Sequence, residues 1–211
     1  MFGFIKTLRA RVAGAITGLT LGLAASGASA LTINFDQYIT GTNLGQTTLA
    51  TLTATQNGNN VDMVFTNTSI VGGSGAFDTA LQMMYNGSTA GISVLWTGGV
   101  QVSSFTLGGG IGPYNPWDLV VNWATSNKGN GALRLNVGES SAFTLVGAQL
   151  SNLFFGSGSG SNPSAMIHVQ GLTGGGSTKY GPSPVPVPAA GVLLIGALGG
   201  LGLAARRRRA A

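Results

Sequence analysis

The chain has no cysteine among its 211 residues. That absence excludes disulfides, thiolate metal sites and a cysteine nucleophile together. Charge is nearly as scarce, at 7% of residues, and it is concentrated at the ends. Lys6, Arg9 and Arg11 lie at one end, and Arg206, Arg207, Arg208 and Arg209 at the other. Between 31 and 185, three basic residues (Lys128, Arg134, Lys179) face five acidic ones (Asp36, Asp62, Asp78, Asp118, Glu139), a net of −2. The formal charge of +5 therefore belongs to the ends. The middle lacks the basic footprint that a phosphate backbone requires, so no nucleic-acid partner is expected.

Histidine occurs once, as His168, in "AMIHVQG". With no second histidine, a zinc site would have to rely on carboxylates. The five acidic residues are scattered and form no calcium-loop pattern. A serine nucleophile would have only His168 as its base. "GSGSGSNPS" imitates G-x-S-x-G in low-complexity sequence without the strand-to-helix elbow that chemistry needs. "TLGGGIGPYNP" lacks the Lys-Ser/Thr pair and following helix of a phosphate cradle. No cofactor or metal is expected, and the simplest reading is that the protein is not an enzyme. A secreted hydrolase centred on His168 is the rival to that reading.

Helical periodicity is also missing from the middle, and no internal repeat recurs at a fixed period. What is present is short runs with strand character, punctuated by Gly, Asn and Ser. They include "LTINFD", "TTLATLTAT", "VDMVFTN", "TALQMMY", "ISVLW", "VQVSSFTL", "WDLVVNWA", "ALRLNV", "SAFTLVG" and "AMIHVQGL". In "VDMVFTN", Val61, Met63 and Phe65 fall on one face. Asn57-Gly58 and Asn86-Gly87 are tight-turn dipeptides. About ten strands over residues 31–172 predict an all-β domain, an antiparallel β-sandwich or jelly-roll-like fold. The Gly/Ser/Pro-rich stretch 173–184 reads as a linker.

One cluster invites a binding reading. "PYNPWDLVVNWA" gathers Tyr114, Trp117, Asp118 and Trp123. Exposed rings beside amide and carboxylate groups would make a stacking platform for a sugar, that is, a carbohydrate-binding module. The same two tryptophans, six apart and expected on one strand face, are more simply read as core.

The ends carry targeting information. "MFGFIKTLRAR" is a basic n-region, "VAGAITGLTLGLAA" an apolar h-region, and Ala28-Ser29-Ala30 the small-x-small pattern of signal peptidase. Residues 1–30 are thus expected to form a signal helix cleaved after Ala30, leaving Leu31 first. At the other end, 189–205 form an uncharged 17-residue run. As a helix it would span roughly 25 Å, at the short end for a bilayer. The arginines that follow would stay cytoplasmic and leave the body on the far side of the inner membrane. A plain single-pass anchor would satisfy this layout, and so would a temporary one.

The ordered set Val185-Pro186-Val187-Pro188-Ala189, apolar span and Arg206 to Arg209 resembles the PEP-CTERM family of Gram-negative exported proteins, in its VPLPA-type branch. Residue 187 is Val where that branch usually has Leu. The resemblance covers about 25 residues, 185–211 as a sorting signal. It implies recognition by exosortase, a membrane-embedded transpeptidase-like enzyme that cuts near the proline motif. It further implies a surface or extracellular-matrix location associated with exopolysaccharide.

Overall fold

The computed structural model describes residues 30–109, 117–156 and 163–183. Residues 1–29, which hold the expected signal-cleavage residue Ala28, together with Tyr114, Val185–Ala189, the apolar run 189–205 and Arg206 to Arg209, lie outside the described residues. Twelve strands are present among the described residues: β1 Ala30–Gly41, β2 Ala50–Asn57, β3 Asn60–Asn67, β4 Phe77–Tyr85, β5 Ser93–Gly99, β6 Ser104–Leu107, β7 Leu119–Asn122, β8 Leu135–Asn136, β9 Ser140–Val146, β10 Leu153–Phe154, β11 Ala165–Gln170 and β12 Ser177–Pro182. Helix among the described residues is limited to single 3-10 turns, one of them Leu150–Asn152 within "VGAQLSNLFFG". None is long and apolar enough to cross a membrane.

The fold is all-β, and every strand pairing is antiparallel. The two-layer expectation needs correcting. Ten strands run as one continuous sheet in the order β5-β9-β3-β2-β1-β12-β11-β4-β7-β6, with β8 and β10 attached to β4. This sheet curls until it is nearly closed into a barrel. A curled sheet encloses its apolar face as two stacked sheets would, so alternation alone does not separate the two.

The segment read as a linker, 173–184, contains β12, which pairs with β1 on one side and β11 on the other. It therefore lies in the middle of the sheet. Its low apolar content is misleading because Thr178 and Tyr180 alternate inward and are both fully buried. The Tyr180 hydroxyl donates to the Gly45 carbonyl and accepts the Leu44 N–H, each at 2.9 Å. Burial also holds that phenol above its usual range.

Inside the curl, Val61, Met63 and Phe65 face the core as the alternation predicts. Gly58 has a φ of 58° and helps turn β2 into β3 through a two-residue loop, which suits glycine. Asn86-Gly87 instead opens the longer connection to β5. Four aromatics organise the centre. Trp123 stacks on Phe65 with centroids 4.9 Å apart, while Phe143 and Phe35 meet that pair edge-on. Offset and edge-to-face contacts are the favoured ring geometries.

Candidate functional site

The proposed sugar platform is closed off by burial. Trp117 and Trp123 are each only 2% exposed. They do not share a face either. Trp123 belongs to the enclosed core, whereas Trp117 joins Val120 and Met166 in a separate cluster backed by Ile39 and Met84. Trp117 precedes β7 at a bend, so the strand's period of two does not apply to it. Asp118 accepts the Tyr85 backbone N–H at 2.7 Å and so buttresses the end of β4. Ala30, the expected signal-cleavage position, is exposed on β1, opposite Thr55.

His168 lies on β11 opposite Ala80 of β4 and Lys179 of β12. Its Nδ1 is 3.0 Å from Thr79 Oγ1, which also lies 3.0 Å from the His168 carbonyl oxygen. A hydroxyl has one proton to give. Donation to the carbonyl makes Nδ1–H the donor to Oγ1, the reverse of a base drawing a proton from a nucleophile. Burial first, and the neighbouring Lys179 charge second, push this imidazole down to about 4. At neutral pH it is uncharged, and it serves as a sheet residue tied to its own backbone.

Four of the five carboxylates also serve local structure. Asp36 accepts from Gln37, Asp62 from Asn57 and Thr144, Asp118 from Tyr85 and Glu139 from Asn136. Asp78 is different. It is fully buried, and neither oxygen has a hydrogen-bond partner. Burial pushes its carboxyl well above the usual carboxylate range, so the neutral acid is the favoured form. Among the described residues no group of three or more His, Asp or Glu could hold a metal ion.

The feature that sequence reasoning missed lies where the curled sheet fails to close. β5 and β6 are its two edges, and Val100–Ser103 bridges them at one end. Val100 N–H donates to the Ser140 carbonyl on β9, and Ser103 N–H donates to the Asn122 carbonyl on β7. Beside this corner lies a groove of about 540 Å³, with Trp96 and Leu133 among its walls and Gln101, Glu139 and Ser140 on its polar side. A volume of this size suits a small ligand. Trp96 is 44% exposed. It sits opposite Phe143 in register, so its ring projects from the core-facing side of the edge strand. The signal in the sequence was "ISVLW", an apolar strand with a terminal tryptophan, which reads as core until its place at the edge is known.

No family model, no curated protein and no solved structure matches this chain.

Proposed function

We propose that this is an exported, non-enzymatic β-protein of the cell surface or extracellular matrix. On this reading it carries an N-terminal signal helix and a C-terminal transmembrane helix, and exosortase sorts it through residues 185–211. Its partners are then signal peptidase, exosortase, the inner membrane in transit and exopolysaccharide at the destination. One observation carries most weight: β12 ends at Pro182, ahead of the proline motif. A cut within Val185–Ala189 therefore leaves every described strand in place, and cleavage after Ala30 takes from the described strands only that exposed β1 residue. The positive ends and net-negative middle support the same topology.

Intact-mass analysis of the protein from its native host tests this reading. A product running from Leu31 to near Pro188 is expected. A C-terminus at Ala211 would leave a plain single-pass anchor, and an N-terminus at Met1 would remove the exported reading.

A second reading, a carbohydrate-binding module, is favoured by the groove at Trp96, whose half-exposed ring has a carboxylate, an amide and a hydroxyl nearby. Of the three tryptophans, Trp117 and Trp123 are shielded, so a bound glycan would perturb mainly Trp96 fluorescence. A panel of polysaccharides should quench or shift that emission, and W96A should abolish both response and binding. No response across the panel sinks this reading without affecting the first.

A further inference from the structure

Charge is distributed unevenly in the groove beside the sheet's open corner. Glu139 is the only charged residue in its walls. The side chain is half-buried, so its charge is screened less than on open surface. Asn136 donates to it twice, from the backbone N–H at 2.8 Å and from Nδ2 at 3.0 Å, and both bonds end on Oε2. They pin the carboxylate, while Oε1 accepts no hydrogen bond among the described residues. The guanidinium of Arg134, next to the wall residue Leu133 in sequence, is taken up by the Thr125 carbonyl and the face of Phe77. A fixed carboxylate with one oxygen left over, in a groove without a cation, suits a ligand that brings positive charge.

Distance sets the size of that ligand. Trp96 lies opposite Phe143 on β9, and Glu139 is four residues before Phe143. At about 3.3 Å per residue the two positions are roughly 13 Å apart along the strand. A sugar ring stacked on Trp96 therefore leaves the carboxylate to a neighbouring unit of the same glycan chain. The exposed amide of Gln101, also in the groove wall, offers donors and an acceptor for hydroxyl groups. An indole face is also the best aromatic partner for a cation, so a cationic chain is favoured at both ends of the groove.

We propose that the groove binds a polysaccharide segment of protonated amino sugars, with one ring stacked on Trp96 and the ammonium group of a neighbouring unit paired with Glu139 Oε1. This rests on the glycan reading of the groove and narrows it to a cationic chain. A uronic-acid polymer would bring its carboxylates against Glu139 and onto a body whose net charge between 31 and 185 is −2. N-acetylation keeps the sugar ring and removes the charge that Glu139 needs.

Tetramers of glucosamine and of N-acetylglucosamine isolate that difference. Calorimetry on the purified full chain at about pH 6, where such an amine is protonated, needs no variant. The glucosamine tetramer should bind about tenfold tighter, the scale of a hydrogen bond between charged groups. E139Q retains an acceptor for Asn136 and should bring the two affinities together, whereas W96A should weaken both. Trilysine carries ammonium groups without a sugar ring and should bind at least about tenfold more weakly than the glucosamine tetramer. Equal affinity of the unaltered protein for the two tetramers overturns the proposal and leaves the glycan reading standing. An amine preference that survives E139Q also overturns it, because the diffuse negative charge of the body would then be the source. Trilysine binding as tightly as the glucosamine tetramer would reveal a plain cation site and refute the sugar assignment. Binding of neither tetramer rejects the proposal, and the wider polysaccharide panel then decides the glycan reading separately.

Discussion

At the scale of single residues, the most consequential feature is a bulge at Thr79. In "FDTALQMMY" strict alternation would put Asp78 with Ala80 and Gln82. The register slips between His168 and Val169, so Asp78 instead lies opposite Val169 and Leu135, both core residues. Phe77 turns to the other face, where the Arg134 guanidinium lies 4.1 Å from its ring centroid. Alternation made Val61, Met63 and Phe65 legible, but a one-residue slip within a strand leaves no local mark in the residue types. The bulge sets up two opposed titrations. Asp78 is raised by burial, so its contribution to stability is full below the unfolded carboxylate range and is lost as pH rises toward its folded value. His168 is lowered to about 4. Its contribution is full above about 6.5 and is lost as pH falls from there to about 4. Each group in its window changes stability by about 1.4 kcal/mol per pH unit at most. Between pH 4 and 6.5 the two slopes cancel wherever Asp78 stays protonated. D78N should therefore expose a stability that falls on acidification, and H168Q one that falls on alkalinisation. D78N should also raise Tm at pH 7, by an amount that shrinks toward pH 4. Thermal melts of the three proteins at half-unit pH steps check this, and parallel curves for all three would contradict it.

At the scale of elements, β5 is held to the barrel by its glycine end. Gly99 has a φ of 66°, and a Cβ there would collide with the Ser140 carbonyl. That contact anchors the corner where Val100 N–H also reaches Ser140. G99A should cost at least about 1–3 kcal/mol, from left-handed strain plus displacement of β9's main chain. A chain of this size loses about 2–4 °C in Tm per kcal/mol. Gly98 is the matched control. A Cβ there meets nothing nearer than the Ala142 Cβ at 4.0 Å, so G98A should leave Tm within about 1 °C at the usual scale of surface changes. Equal losses in the two variants would show that the corner is not constrained in this way. Most strand positions were legible as elements because their apolar, β-branched and aromatic runs are bounded by turn residues. Edge position was not. "ISVLW" and "VDMVFTN" look alike as sequences, yet one is a rim and the other lies deep in the sheet. The difference is decided by long-range pairing, which also explains why the tryptophans that looked suited to binding are buried while Trp96 lines the groove.

At the scale of the whole molecule, the least strand-like sequence holds the sheet together. β12 pairs with β1, the first strand, and with β11, so it converts what would be two sheets into one curled sheet. Its composition, "STKYGP", matches a linker because half its positions face outward and Gly181 and Pro182 end it. Only the alternation of Thr178 and Tyr180 betrayed it. A chain ending at residue 172 would lose the ladder on both sides of β12. It would also lose the buried Tyr180 ring, a truncation worth roughly 3–5 kcal/mol for a large aromatic in a core. That loss alone takes a large share of the usual stability of a domain, about 5–15 kcal/mol, and two new unpaired edges add to it. Residues 31–172 expressed alone should therefore aggregate or give an unfolded far-UV spectrum, whereas 31–183 should melt cooperatively as a β-protein. A cooperative melt from the shorter piece would mean that the barrel tolerates the gap between β1 and β11. On the proposed route, the same geometry limits where a sorting cut could fall. A cut at or before Pro182 would remove strand from the body, whereas a cut at the Val185–Ala189 motif would not. On the proposed route, then, the folded domain and the sorting signal are separated by residues 183 and 184 alone, and any processed product shorter than 31–182 should be found unfolded or degraded rather than delivered.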